Sequence, residues 1–398
     1  MTSATSTSRG QVALILAALW LLTFVSTSQV LIIAPLLPSI TRQLQVDEAW
    51  GGLLIGGYGL AAGVVALIAG PISDHVGRRR ILLVGTAVMS LALWGHLVVD
   101  SFGALLAVRA VAGGAGGVLA GAAVAYVGDF FPYERRGWAN GWVMSGLALG
   151  QVVGIPLGTV LAKRWGFQAP FLPFAVLLTA AVGLVALAVP QPDVERTDNV
   201  AMDRALHGYR SLLLRGPTAA MASSYALTFG GLALFIVYLP VWLGDTMGAD
   251  EDDIALLYAL GGLAGVLTNP VAGWLSDRYG RKLFIVGACV VFAAVALAAP
   301  FVGTELPVVI GLFCLGMAAA AARTPAQQAL VSSIVGARER GSLLSLGSAL
   351  GQGGFAAGGV AAGVLYPSVG FIGCALGAAA AMLGTAVVVG RFVPEPDR

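Results

Sequence analysis

Apolar residues run through this chain in long, nearly unbroken stretches, separated by short polar segments in which arginine is concentrated. A helix needs roughly 20 mostly apolar residues to cross a bilayer. Twelve stretches meet that length, near 11–36, 50–72, 81–99, 102–128, 138–161, 168–190, 217–243, 253–275, 283–302, 307–333, 342–364 and 368–390. The runs are continuous rather than alternating with polar positions, which predicts helices and not the strands of a barrel. The expected fold class is therefore an all-α polytopic membrane protein, with twelve transmembrane helices forming two pseudo-symmetric six-helix bundles. The bundles are 1–190 and 217–398, and the longest polar segment, 191–216, reads as a cytoplasmic linker.

Composition strengthens this. The 398 residues are 58% hydrophobic and 11% charged, with a mean hydropathy of +0.88. An average soluble domain is about 25% charged, so lipid is the solvent that suits this chain. A net charge of +2 and the lack of a basic arm predict no nucleic-acid partner. Cys289, Cys314 and Cys374 all lie in apolar runs, as expected of packed free thiols, and no metal site is expected. Arg9 precedes the first apolar run, and no small-residue cleavage site follows it, so a retained first helix is expected.

Basic residues set the orientation. With the N-terminus in the cytoplasm, 17 of the 22 Lys and Arg residues fall on the cytoplasmic side, 3 fall outside, and Arg109 and Arg323 fall within spans. That bias places both termini inside. Twenty of those 22 residues are arginine, and Ala and Gly are abundant, as in a GC-rich bacterial genome. The inner membrane of a bacterium is the expected location.

The two halves echo each other. Gly70-Pro-Ile-Ser-Asp74-His-Val-Gly77-Arg78 matches Gly273-Trp-Leu-Ser-Asp277-Arg-Tyr-Gly280-Arg281, in the loop after the second span of each half. Ala148-Leu-Gly-Gln151 matches Ala349-Leu-Gly-Gln352, and Glu134-Arg-Arg-Gly137 echoes Arg338-Glu-Arg-Gly341. Duplicated halves are the mark of many secondary transporters, which rock around a site at their interface.

On these residues the chain resembles the major facilitator superfamily over almost its whole length. The doubled loop follows that family's G-x-x-x-D-x-x-G-R pattern. Gly146, Gly150, Gly154, Pro156 and Gly158 in the fifth span, and Arg109 followed by Gly113 in the fourth, resemble elements of its twelve-span drug and metabolite antiporters. The resemblance implies that Asp74 pairs with nearby arginine and faces a helix N-terminus of the other half, favoured by the helix dipole. It would thereby gate the cytoplasmic side, with Asp277 and Arg281 as a weaker copy. It also implies that the glycine array bends at the interface between the halves, and that the protein works as a monomer. Independently, glycines four apart make a flat stripe for close helix packing, and proline interrupts the helical ladder.

Every acidic residue can be placed outside the hydrocarbon, yet two spans carry arginine. A charge there costs upwards of about 2.5 kcal/mol, so it faces the protein interior or water. Arg109 and Arg323 are candidates for the substrate pathway, or alternatively braces that donate to carbonyls and hydroxyls. Arg323-Thr-Pro325 also predicts a helix break. Gln151 and Gln352 take pseudo-equivalent central positions, and buried amides need partners or a ligand. Thr23, Thr27, Gln29, Tyr58, Phe229, Tyr258 and Asn269 complete the candidates for a largely apolar small-molecule site.

The leading expectation is a secondary active transporter that exports small amphipathic drugs or metabolites by alternating access. The coupling ion is expected to be H+, and no cofactor is expected. Such antiporters often carry an acidic residue in an early span, which this chain lacks. The alternative is an organic-anion transporter working through Arg109 and Arg323, since the intramembrane field is positive. No catalytic signature is present, so no enzyme is expected.

Overall fold

A computed structural model describes residues 9–192, 202–302 and 305–395. Among them the chain is helical throughout: α1 Arg9–Leu31, α2 Ile33–Leu44, α3 Gly51–Val76, α4 Arg78–His96, α5 Phe102–Phe130, α6 Tyr133–Leu149, α7 Ile155–Trp165 and α8 Phe171–Ala188 form one half. After α9 Met202–Leu214 come α10 Gly216–Ile236, α11 Leu239–Met247, α12 Glu251–Tyr279, α13 Arg281–Ala298, α14 Leu306–Ile334, α15 Ala337–Val369 and α16 Phe371–Phe392. Ten stretches of the described residues are long and apolar enough to span a membrane. The other two spans are α4, which opens on three arginines, and α15, diluted by glycine and serine. Twelve spans result.

The repeat extends to the backbone. Gly77 and Gly280 end α3 and α12 with φ of 104° and 114°, a region costly for residues with a Cβ. Each N–H bonds back to a serine carbonyl, Ser73 or Ser276, at 3.0 Å. The first span of each half is broken: α1 gives way to α2 at Ile32, three residues before Pro35, and α10 gives way to α11 at Val237–Tyr238, before Pro240. Proline lacks the N–H that would carry the ladder on.

Three expectations need correction. The segment 191–216 is not plain linker, because α9 lies within it with Tyr209 and Leu212 buried. The Tyr209 hydroxyl donates to the Leu67 carbonyl at 3.2 Å, an oxygen that Pro71, four residues on, cannot engage. Pro325 does not break its helix; α14 runs through it, and its ring rests beside Gly273 of α12. The glycine array of the fifth span faces α1 of the same half, not the other half. An added Cβ at Gly146, Gly150, Gly154 or Gly158 would meet, respectively, Trp20 and Thr23, Phe24, Ser28, and Ile32. The array does distort its helix: a π turn over Gly150–Gly154 separates α6 from α7, which has Pro156 in its first turn.

The halves meet along two crossings. The face of the fifth span beside its glycine stripe lies on α12, and α15 lies on α3. At one end of the molecule, which is rich in acidic residues, α2 also packs on α11, and α7 packs on α12. Toward the arginine-rich end α6 packs instead on α1 and α5.

Candidate solute site

The crossings place Gln151 and Gln352 in equivalent positions. A Cβ on Gly262 of α12 would sit 3.1 Å from the Gln151 carbonyl oxygen, and one on Gly59 of α3 would sit 2.8 Å from that of Gln352. Each glutamine therefore marks a point where its helix touches a glycine of the other half. Both side chains are half-buried, and neither amide has a hydrogen-bond partner among the described residues. Thr27 is likewise half-buried with no partner, whereas Thr23 donates into carbonyls of its own half, including Val143 at 2.9 Å.

Two aromatic pairs flank these crossings. Trp20 and Phe24 stack at 5.3 Å against Gly146 and Gly150. Tyr225 and Phe229 take the corresponding places against Gly347 and Gly351 of α15. Trp20, Phe24 and Tyr225 were not among the sequence candidates, nor was the second glycine stripe, Gly347, Gly351, Gly354 and Gly358. The signal was present: Trp20 and Phe24 stand 205 positions before Tyr225 and Phe229, as Pro35 stands before Pro240.

Arg109 does not line open space. It is fully buried, and its guanidinium donates to the Gln29 carbonyl at 2.9 Å, to Gln29 Oε1 at 2.8 Å and to the Val30 carbonyl at 3.5 Å. These carbonyls lie in the last turn of α1, where no further helical N–H satisfies them. The Tyr58 ring lies 4.5 Å below the guanidinium, and its hydroxyl takes a hydrogen bond from Gln29 Nε2 at 3.2 Å. In the second half the Tyr258 hydroxyl performs the same task, donating to the Ile236 carbonyl at the end of α10 at 2.8 Å. Tyr58, Tyr258 and Arg109 thus brace broken spans. Arg323 lies between α14 and α10 with Phe229 at 6.0 Å, apart from the Arg109 cluster. Asn269 is exposed on α12, about two turns from Gly262, and has no partner among the described residues.

The loop motif is ordered within each half. Arg78 bonds Asp129 at the end of α5 at 2.6 Å and Ser73 at 2.9 Å. Arg281 bonds Asp277 at 3.1 Å and the Ala329 carbonyl at 3.4 Å. Gly70 has open space around it, and the side chain of Asp74 lies outside the described residues. At the acidic end the halves are pinned together: Lys163 of α7 bonds Asp250 and Asp252, and the Tyr238 hydroxyl donates to the Glu48 carbonyl. A vestibule of about 600 Å³ remains there, lined in part by Ser39, Arg42, Glu48, Lys163 and Asp245. No cluster of metal-ligating side chains occurs among the described residues.

Twelve spans in two equivalent halves, with a glycine-terminated arginine loop in each, agree with a family model for the Major Facilitator Superfamily that matches residues 19–248 and 221–398. The chain belongs to the major facilitator superfamily. As a member it is a multi-pass membrane transporter. It is 26% identical to the MFS-type transporter YceJ of Bacillus subtilis over 89% of this chain and 90% of that one. It is 26% identical to Multidrug resistance protein D of Escherichia coli over 67% of each. Its fold is similar to that of the human organic anion transporter MFSD10, with a TM-score of 0.71 at 19% identity, covering 96% of this chain and 99% of that one.

Proposed function

We propose that this transporter exports small amphipathic solutes by alternating access, in exchange for protons, across the inner membrane of a bacterium. The observation that carries the reading is the pair of partnerless amides, Gln151 and Gln352, at the two crossings of the halves. Flanking aromatic pairs supply the apolar wall that small-molecule sites use, and the amides supply orientation. The likeness to Multidrug resistance protein D supports export of such compounds.

The arginine-rich end, with both termini, is assigned to the cytoplasm by its positive charge. On that assignment the conformation is closed outside, at Lys163 and Tyr238, and parted inside, where α6 leaves the interface. The loop motif then gates the parted side, and the protein acts as a monomer. Among the described residues no carboxylate is buried, so proton coupling is assigned to groups at the span ends, with Asp129 beside Arg78 foremost.

Proteoliposomes holding the purified protein test this directly. A cationic, a neutral and an anionic amphipathic dye are loaded with and without an imposed pH gradient. Gradient-driven movement of at least one dye is expected, and equal leakage from empty liposomes would reject the proposal.

A further inference from the structure

The two guanidinium groups inside the bundles are satisfied to different degrees. A guanidinium offers five N–H donors in a planar fork, accepts nothing and stays charged. Arg109 finds neutral acceptors on both terminal nitrogens, with only its Nε buried and unpaired, and is 0% exposed. Arg323, at 6% exposed, has one described acceptor, Oε1 of Gln327, on Nη1. That amide is held from behind, because Gln327 Nε2 donates to the Ser224 hydroxyl of α10 at 2.9 Å. Nη1 is therefore anchored, while the edge formed by Nε and Nη2 has no acceptor, and Nε is buried and unpaired.

A second orphan lies beside it. The Tyr225 hydroxyl, one turn before Phe229 on α10, is buried without a partner among the described residues. No carboxylate pairs with Arg323 among the described residues. A membrane-embedded cation with a free edge is costly unless something fills that edge. The free edge has the geometry that takes a carboxylate in two parallel, charge-assisted hydrogen bonds. The half-buried Phe229 ring, 6.0 Å from Arg323 Cζ, offers apolar contact to whatever body such an anion carries.

We propose that the Nε–Nη2 edge of Arg323, together with the Tyr225 hydroxyl, binds the carboxylate of the transported solute, so that the substrates are amphipathic monoanions. The proposal rests on the reading of the chain as an exporter of amphipathic solutes, which it narrows. Arg109, both of whose terminal nitrogens are already taken up by the end of α1, has only Nε unpaired and does not share the role.

The test uses 2-naphthoate and its neutral counterpart 2-naphthamide, titrated into the full chain in nanodiscs and also followed for transport in proteoliposomes. Wild type is expected to bind naphthoate at least tenfold tighter than naphthamide. Arg323→Gln is expected to abolish that preference, and its melting temperature in nanodiscs reports that the variant is folded. Arg323→Lys, a point charge without the fork, is expected to recover part of the preference, and Tyr225→Phe to lose a few-fold. An intact preference in Arg323→Gln overturns the proposal, as does equal binding of the two probes by wild type. Displacement of naphthoate by chloride at equal concentration would also overturn it, in favour of an inorganic-anion site. Export of naphthamide without any anion preference would sink this inference and leave the transport reading standing. Arg323-dependent binding without any export would do the reverse.

Discussion

Lys163 Nζ lies 2.8 Å from Asp250 Oδ2 and 2.5 Å from Asp252 Oδ2, joining α7 of one half to the first turn of α12 in the other. Asp250 serves two masters: its second oxygen, Oδ1, accepts the backbone N–H groups of Asp252 and Asp253 at 2.9 and 3.0 Å. The lysine is thus tied to a carboxylate already fixed by a helix start. Single exposed ion pairs add little to stability, so the effect should show in the balance between conformations. Lys163→Glu is expected to open the acidic end. A cysteine placed at Ser39, in the vestibule, should react several-fold faster with a membrane-impermeant maleimide in that background. Unchanged labelling would mean that the pair does not hold this end closed.

The same end should respond to pH in two stages. Burial, Asp245 and Asp47 raise the Glu48 carboxyl above its ordinary range. Glu48 and Asp245 belong to opposite halves, so their repulsion disfavours closure while both are ionised. As pH falls Glu48 protonates first, and closure should tighten. Hydrogen bonds from Lys163 and from the Asp253 backbone depress Asp250 below its ordinary range. Its contribution is therefore complete at neutral pH and lost only when pH falls through that depressed value. The Ser39→Cys labelling rate should drop and then rise on acidification. A steady rise from pH 7 downward would contradict the assignment of Glu48.

The glycine contacts predict which substitutions the bundle rejects. A Cβ at Gly354 would lie 2.1 Å from the Ala226 carbonyl oxygen, whereas one at Gly121 meets nothing within 4 Å. Gly354→Val should lower thermal stability by the roughly 1–3 kcal/mol typical of overpacking, or prevent folding outright. Gly121→Val should be near neutral. Melting temperatures measured in detergent compare them.

Arg109 should behave as a brace. Arg109→Gln leaves the last carbonyls of α1 short of donors, so a loss of stability of about 2–4 kcal/mol is expected. Thermal unfolding before any transport assay provides the check. Full stability with transport abolished would return Arg109 to the solute path.

Gln151→Ala and Gln352→Ala should each raise KM several-fold for a transported dye while leaving the melting temperature unchanged, because neither amide supports a protein partner. An unaltered KM in both variants would remove the crossings from the site.

Much of the architecture could be read directly. Apolar runs set the spans, arginine set the two ends, and the Gly77 and Gly280 turns announced the repeat. The breaks at Pro35 and Pro240 escaped because the apolar run continues through them, and hydropathy does not register a lost N–H. The helix α9 escaped because its buried face is narrow, Tyr209 and Leu212 among polar neighbours. Arg109 and Arg323 looked alike in sequence. Only three dimensions show that one guanidinium has both terminal nitrogens engaged by a helix end and the other has only one engaged, by a glutamine. The glycine array was read for close packing, but spacing along one helix cannot tell which partner fills the stripe.

The two broken spans carry a lesson about duplicated folds. Arg109 in the first copy and Tyr258 in the second cap the same kind of frayed helix end, from different helices and with different functional groups. What both copies keep is a demand for a donor at that spot. A residue-by-residue comparison of the halves, in the register that sets Gly59 beside Gly262, would set Tyr258 beside Ile55 and miss that it does the work of Arg109. In each bundle the orphaned carbonyls are the better guide to which side chains do equivalent work.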